Sequence, residues 1–172
     1  MIIFLGDSIT ELGNWKTLLS EFDIVNYGVS GDKTYQIIDR VDELFDKEVH
    51  QLFLLVGIND LGENRLVTDI LKDYAKLINL LSNNNVASSI HLVSVLPIQS
   101  NLWDKLEMTS ENIINLNSGI MNLSRDNNLS FVNIYSMFTD VRNELKEEYT
   151  TDGLHLNSEG YEVYAQEIRK YL

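Results

Sequence analysis

The chain has 172 residues, 44% hydrophobic and 23% charged, the balance of an ordinary globular protein, and its length suits one domain over residues 1–172 with a single continuous core. A formal charge of -13 argues against duplex nucleic acid, which needs a basic stripe, and disfavours anionic membranes and polyanionic ligands. With no cysteine, disulfides and thiolate chemistry are excluded, so a protein nucleophile has to be oxygen or nitrogen.

In chain order, Ile2 to Leu5 is a short apolar run that reads as a buried strand. It has no basic leader and is shorter than the roughly 7 to 15 residues of a signal-peptide core. No stretch approaches the roughly 18 apolar residues of a membrane span. The expectation is a cytoplasmic protein without stable membrane association. The run ends at Gly6-Asp7-Ser8. A second strand, Asp23 to Tyr27, ends at Gly28-Val29-Ser30-Gly31-Asp32, and Ile37, Val41 and Leu44 follow at helical spacing. The third strand, Gln51 to Val56, ends at Gly57-Ile58-Asn59-Asp60. Ile70, Leu71, Tyr74, Leu77, Ile78 and Leu81 then mark a crossover helix, closed by the Asn83-Asn84-Asn85 loop. A fourth strand at Ile90 to Leu96 leads into a loop, Ile98 to Met108, and a helix over Ser110 to Arg125. The fifth strand is Ser130 to Ile134. The last helix runs from Asn157 to Tyr171, where Tyr161, Tyr164 and Tyr171 serve packing. Such alternation predicts a parallel sheet covered on both faces, with the binding crevice beyond the carboxyl ends of its strands.

Three of those ends carry small and polar residues, so they should meet at one site. Ser8 follows a strand and precedes a helix, which puts its hydroxyl at the crevice floor beside helix N-terminal amides. A free serine is a poor nucleophile and needs a base, most often histidine. Of the three histidines, His50 precedes the third strand at its far end, and His91 lies within the fourth strand as a structural residue. His155 sits in the turn Thr151 to Asn157, where Asp152, three residues earlier, can curl back to its ring. Acyl transfer also needs donors for an oxyanion, and the candidates are the amides of Ser8 and Gly31 and the side-chain amide of Asn59. Asp7 and Asp32 read as braces accepting hydrogen bonds from loop amides. Trp103 and Arg65, each in a loop near the crevice, are candidates for the substrate pocket, with cover of a core edge as the open alternative for Trp103.

Taken together, Gly6-Asp7-Ser8-Ile9-Thr10, Gly28-Val29-Ser30-Gly31-Asp32, Gly57-Ile58-Asn59-Asp60 and Asp152-Gly153-Leu154-His155 resemble the SGNH hydrolases, also called the GDSL esterase and lipase family. All four blocks appear in order between Gly6 and His155. The resemblance implies a flavodoxin-like three-layer α/β/α sandwich with a five-stranded parallel sheet. It implies Ser8 as nucleophile, Gly31 and Asn59 completing the oxyanion hole, and Asp152 and His155 finishing a triad, with no metal and no cofactor. Ile9 replaces the leucine of the family name. That isoleucine, with Asn26 to Asp32 and Leu96-Pro97, resembles the bacterial acetylesterase-like and platelet-activating-factor-acetylhydrolase-like branches. The expected substrate is a small-molecule ester, such as an acetyl group on a sugar or small alcohol, hydrolysed through an acyl-Ser8 intermediate. Alternatives are a thioesterase or lysophospholipase acting on longer chains, a flavodoxin-like flavin-binding electron carrier, and a catalytically silent sugar-binding relative. The flavin and silent readings leave Asp152 and His155 without a purpose.

Overall fold

Five strands, β1 (Ile2–Gly6), β2 (Ile24–Gly28), β3 (Val49–Leu55), β4 (Ala87–Val93) and β5 (Ser130–Val132), form one all-parallel sheet in the order β2-β1-β3-β4-β5. The structure is a computed structural model that describes residues 1–103 and 109–172. Along each central strand the side chains alternate between two apolar clusters. Ile3, Leu5, Leu52, Leu54 and Leu92 enter one, and Phe4, Phe53, Leu55 and Val93 enter the other. A strand buried on both faces is why these segments read as unbroken apolar runs.

The connections carry α1 (Ser8–Glu11), α2 (Trp15–Leu18), α3 (Thr34–Arg40), α4 (Ile58–Gly62), α5 (Val67–Asn83), α6 (Ser110–Asp126), α7 (Tyr135–Phe138) and α8 (Ser158–Ile168). One layer is built from α3, α5 and α6, whose Ile37, Ile70, Tyr74, Leu77, Ile113, Leu116 and Ile120 share the first cluster. In the other, Ile9, Trp15, Phe138, Tyr161, Tyr164 and Ile168 from α1, α2, α7 and α8 fill the second. The result is the three-layer α/β/α arrangement, with the flavodoxin-like strand order.

Several boundaries differ from the sequence reading. Helical geometry after Thr34 stops at Arg40 and continues as a 3-10 turn over Val41–Leu44, which buries the same Val41 and Leu44. His50 lies inside β3 rather than before it, because its N–H bonds the Met1 carbonyl at 2.9 Å and extends the ladder downward. Asn157 is the N-cap of α8, accepting from the Gly160 N–H at 2.9 Å, and the helix ends at Ile168. Of the loop read as Ile98 to Met108, residues 104–108 lie outside the described residues. Among the described residues no helix is long and apolar enough to cross a membrane.

Register decides where the site falls. Gly6 is level with Gly28 on one side and with Leu55 on the other. The turns leaving β1, β2 and β3 therefore start at one height and meet beyond the same edge of the sheet.

Candidate active site

Asp7 follows the last residue of β1 and caps α1, its Oδ1 accepting from the Ile9 N–H at 3.0 Å. Ser8 is consequently the first residue of α1, where no preceding turn can supply a partner for its N–H. The helix lies hard against β2, since a Cβ built on Gly28 would stand 2.2 Å from the Glu11 nitrogen. The carbonyl end of α1 is held by Asn26, whose Nδ2 donates to the Thr10 and Glu11 carbonyls at 3.0 Å each. From the opposite side the Tyr161 hydroxyl donates to the Ile9 carbonyl at 2.9 Å and Trp15 Nε1 to the Thr10 carbonyl at 2.7 Å. Tyr161 and Tyr164 pack edge-on to Trp15, in keeping with a packing role for both tyrosines.

The turn before α8 brings His155 to Ser8. His155 Nε2 is 3.0 Å from Ser8 Oγ, and His155 Nδ1 is 2.6 Å from Asp152 Oδ2. Three residues suffice because Asp152 Oδ1 accepts from the Leu154 and His155 N–H groups, at 2.9 and 2.7 Å, and so curls the chain around its own carboxylate. Thr150 closes the turn, accepting from the Gly153 N–H at 2.9 Å and donating to the His155 carbonyl at 2.7 Å. Partial burial pushes the Asp152 carboxyl up. The hydrogen bonds from the His155 ring and the two amides outweigh it and hold the group below its usual range, as an anion. Trp103 is edge-on to the His155 ring at 6.4 Å and is partly buried against the core, so it stands both beside the site and over a core edge.

The turns after β2 and β3 contribute amide groups. Gly31 has φ +85°, a conformation side-chain-bearing residues rarely adopt, and the space where a Cβ would stand is open. Its N–H meets no acceptor among the described residues. Asn59 Nδ2 donates to the Asp32 carbonyl at 3.0 Å, which orients the amide group and links the third turn to the second.

Behind these groups lies a charged frame that local sequence patterns did not disclose. Asp32 accepts from Arg40 Nε at 2.7 Å, so its brace is a guanidinium instead of the expected loop amide. Arg40 Nη2 also donates to the Gly6 and Tyr27 carbonyls, at 3.2 and 3.0 Å. Asp60, fully buried, accepts from the Thr34 N–H at 3.0 Å and the Thr34 hydroxyl at 2.8 Å, and pairs with Arg65. Arg65 further pairs with Asp73 at 2.7 Å and lies over the Tyr35 ring at 5.1 Å. Its placement thus differs from the pocket-lining expectation: the guanidinium is engaged by two carboxylates and a threonine, and braces the turn that carries Asn59. No run of residues signals such pairs, whose members come from different helices and turns.

Asp7 is 0% exposed, and its Oδ2 has no hydrogen-bond partner among the described residues. Burial, which the Ile9 amide only partly offsets, together with the nearby Asp60 and Asp32 charges pushes its carboxyl up to about 7. His91 stacks on Phe53 with ring centroids 4.3 Å apart, and burial lowers its pKa, consistent with a structural neutral ring. Among the described residues no three histidine, aspartate or glutamate side chains are grouped to hold a metal ion.

The profile of the GDSL-like lipase/acylhydrolase family matches residues 4–163. The chain is 27% identical over 176 residues to an N-acylneuraminate cytidylyltransferase of Escherichia coli O18:K1:H7, aligning 97% of its own length with 39% of that protein. It therefore spans about two fifths of the first curated relatives that it matches. Among solved structures, a Streptococcus pneumonia protein provisionally described as a platelet activating factor superposes with a TM-score of 0.92 at 31% identity, covering 99% of this chain and 82% of the other. A GDSL-like lipase from Bacteroides thetaiotaomicron superposes with a TM-score of 0.88 at 26% identity, covering 99% and 86%.

Proposed function

Because this chain belongs to the GDSL-like lipase/acylhydrolase family, we propose that it is a carboxylic ester hydrolase and that residues 1–172 form one hydrolase domain that cleaves small, chiefly acetyl, esters through an acyl-Ser8 intermediate. The observation that carries this reading is the unbroken chain from Ser8 Oγ through both ring nitrogens of His155 to Asp152. His155 Nε2 takes the Ser8 proton as Oγ bonds to the ester carbonyl carbon. The carbonyl oxygen gathers negative charge where the Ser8 and Gly31 N–H groups and the second Asn59 amide proton converge. Collapse of this tetrahedral intermediate breaks the bond to the alkoxy oxygen, which leaves as the alcohol with the proton held by His155. Water then attacks the acyl carbon, gives a proton to His155 and releases the carboxylic acid, while Ser8 Oγ recovers its hydrogen. Throughout, the Asp152 anion stabilises the imidazolium and keeps Nε2 directed at Ser8.

The acetyl preference draws on the similarity to a relative named for an acylated compound, N-acylneuraminate. Trp103, edge-on to His155, is suited to pack against the bound alcohol. Hydrolysis of p-nitrophenyl acetate by wild type and by Ser8→Ala tests the core of the reading, and equal rates would reject it.

One observation favours the second reading, a thioesterase or lysophospholipase for longer chains. A groove of about 470 Å³ is lined by Leu12, Leu18, Leu156 and Tyr161 together with the polar Asn14, Thr17, Asn157, Ser158 and Glu162, and Leu156 directly follows His155. An acyl-length series from acetyl to decanoyl separates the two, because a rate rising with length would displace the acetyl preference.

A further inference from the structure

The last backbone bond between the β1 and β2 segments runs from the Val29 N–H to the Gly6 carbonyl at 3.0 Å, yet the groups proposed to react lie beyond it, on three separate turns. Something has to set their spacing, since displacements of about an ångström at such a site cost on the order of a hundredfold in rate. Glu11 ties α1 to the second turn by accepting from the Ser30 N–H at 2.8 Å, and within the frame Arg40 ties the ends of β1 and β2 to that same turn. The Arg40 guanidinium reaches the Gly6 carbonyl, two residues before Ser8, the Tyr27 carbonyl at the end of β2, and the Asp32 carboxylate next to Gly31. The backbone carbonyl of that same Asp32 accepts from Asn59, which carries the connection into the third turn.

We propose that Arg40 is a positioning residue for ester hydrolysis, its guanidinium fixing the distance between Ser8 and the Gly31–Asn59 donors. This rests on the reading of those residues as nucleophile and oxyanion donors. The rigid fork of arginine suits this role, with Nε serving the carboxylate while Nη2 spans two carbonyls, a geometry the single ammonium of lysine cannot reproduce. Both partners of the ion pair are shielded, with 19% of the Arg40 and 9% of the Asp32 side chain exposed. Removing the guanidinium would therefore strand the Asp32 charge and take a donor from the Gly6 and Tyr27 carbonyls, leaving Gly6 its bond from the Val29 N–H, and the Gly28–Asp32 turn would shift relative to Ser8. Arg40 itself lies behind the turns, away from the Ser8 hydroxyl, so substrate affinity should be little affected.

Arg40→Gln and Arg40→Lys, compared with wild type, test the proposal. Thermal unfolding reports whether each folds, and titration with a fluorophosphonate, which bonds to Ser8, gives the concentration of competent sites. Per titrated site, Arg40→Gln is expected to lose about tenfold or more in kcat on p-nitrophenyl acetate, with KM within about twofold of wild type. Arg40→Lys should recover only part of that loss. A folded Arg40→Gln with wild-type kcat per site, or with a change confined to KM, overturns the proposal. If Arg40→Gln does not fold, Arg40→Lys decides: a loss of about threefold or more at unchanged Tm supports positioning, and wild-type kcat refutes it. Ser8→Ala, run alongside, separates the two levels, because activity surviving there would remove the underlying reading whatever Arg40 does.

Discussion

At the scale of single residues, Asn59 shows how one hydrogen bond prepares another. Donation of one amide proton to the Asp32 carbonyl fixes the plane of the side chain, and the direction of its second N–H follows from the first. If that proton meets the oxyanion, Asn59→Ala should lower kcat by about 10² to 10³, or 2.7 to 4 kcal/mol, and leave KM nearly unchanged in steady-state assays. For Asp152→Asn the expected loss is about 10⁴ in kcat, because an amide in place of the anion favours the wrong imidazole tautomer. A normal rate in that variant would separate Asp152 from the reaction. These residues were legible in the sequence because each sits in a short block whose chemistry is local: Ser8 after a glycine turn, His155 three residues beyond a carboxylate. Arg40, Thr34, Asp60 and Asp73 were not, since an arginine in the last turn of a helix reads as surface charge until its partners on other elements are known. Arg65 was seen, but only its loop was visible in the sequence, not the two carboxylates that engage it.

At the scale of elements, alternation of apolar runs with helical periodicity located every strand and the longer helices, while the ends moved by a few residues. Ile37, Val41 and Leu44 keep an apolar stripe whether the backbone is α-helical or tightens into a 3-10 turn, so periodicity alone could not place the break at Arg40. Close contact of α1 with β2 was equally invisible, because a glycine at a strand end is also common turn chemistry. The structure separates two demands on glycine. At Gly28 a Cβ would collide with the backbone of α1, and Gly28→Ala should cost about 2 kcal/mol of stability as the helix is forced outward. At Gly31 there is room and the cost is backbone conformation alone, about 1 kcal/mol. Urea unfolding of both variants, read with ester turnover, checks the distinction. Gly28→Ala should lose activity in step with the displacement of Ser8, and equal stabilities would mean that α1 yields freely.

For the molecule as a whole, a charge of -13 makes pH a lever on stability, and two carboxyls near the site push in opposite directions. Asp152, held below its usual range, favours the fold above the ordinary carboxyl pKa, and that contribution is lost as pH falls through its depressed value. Its exposure to solvent keeps the effect small. Asp7 acts with the reverse sign. With its folded pKa pushed up to about 7 from an ordinary 3.8, the native state holds a proton that the unfolded chain has already released. Over that interval the native state binds more protons, so stability is greatest on the acid side, declines as pH rises from about 4 toward 7, and levels off above. Asp7→Asn keeps the side-chain oxygen that caps α1 through the Ile9 amide but has nothing to ionise. Its Tm should match wild type near pH 5 and exceed it near pH 8, with a flatter profile between. Parallel curves for the two proteins would show that Asp7 is already ionised in the fold, and would place the decline on the overall negative charge, which added salt should then suppress.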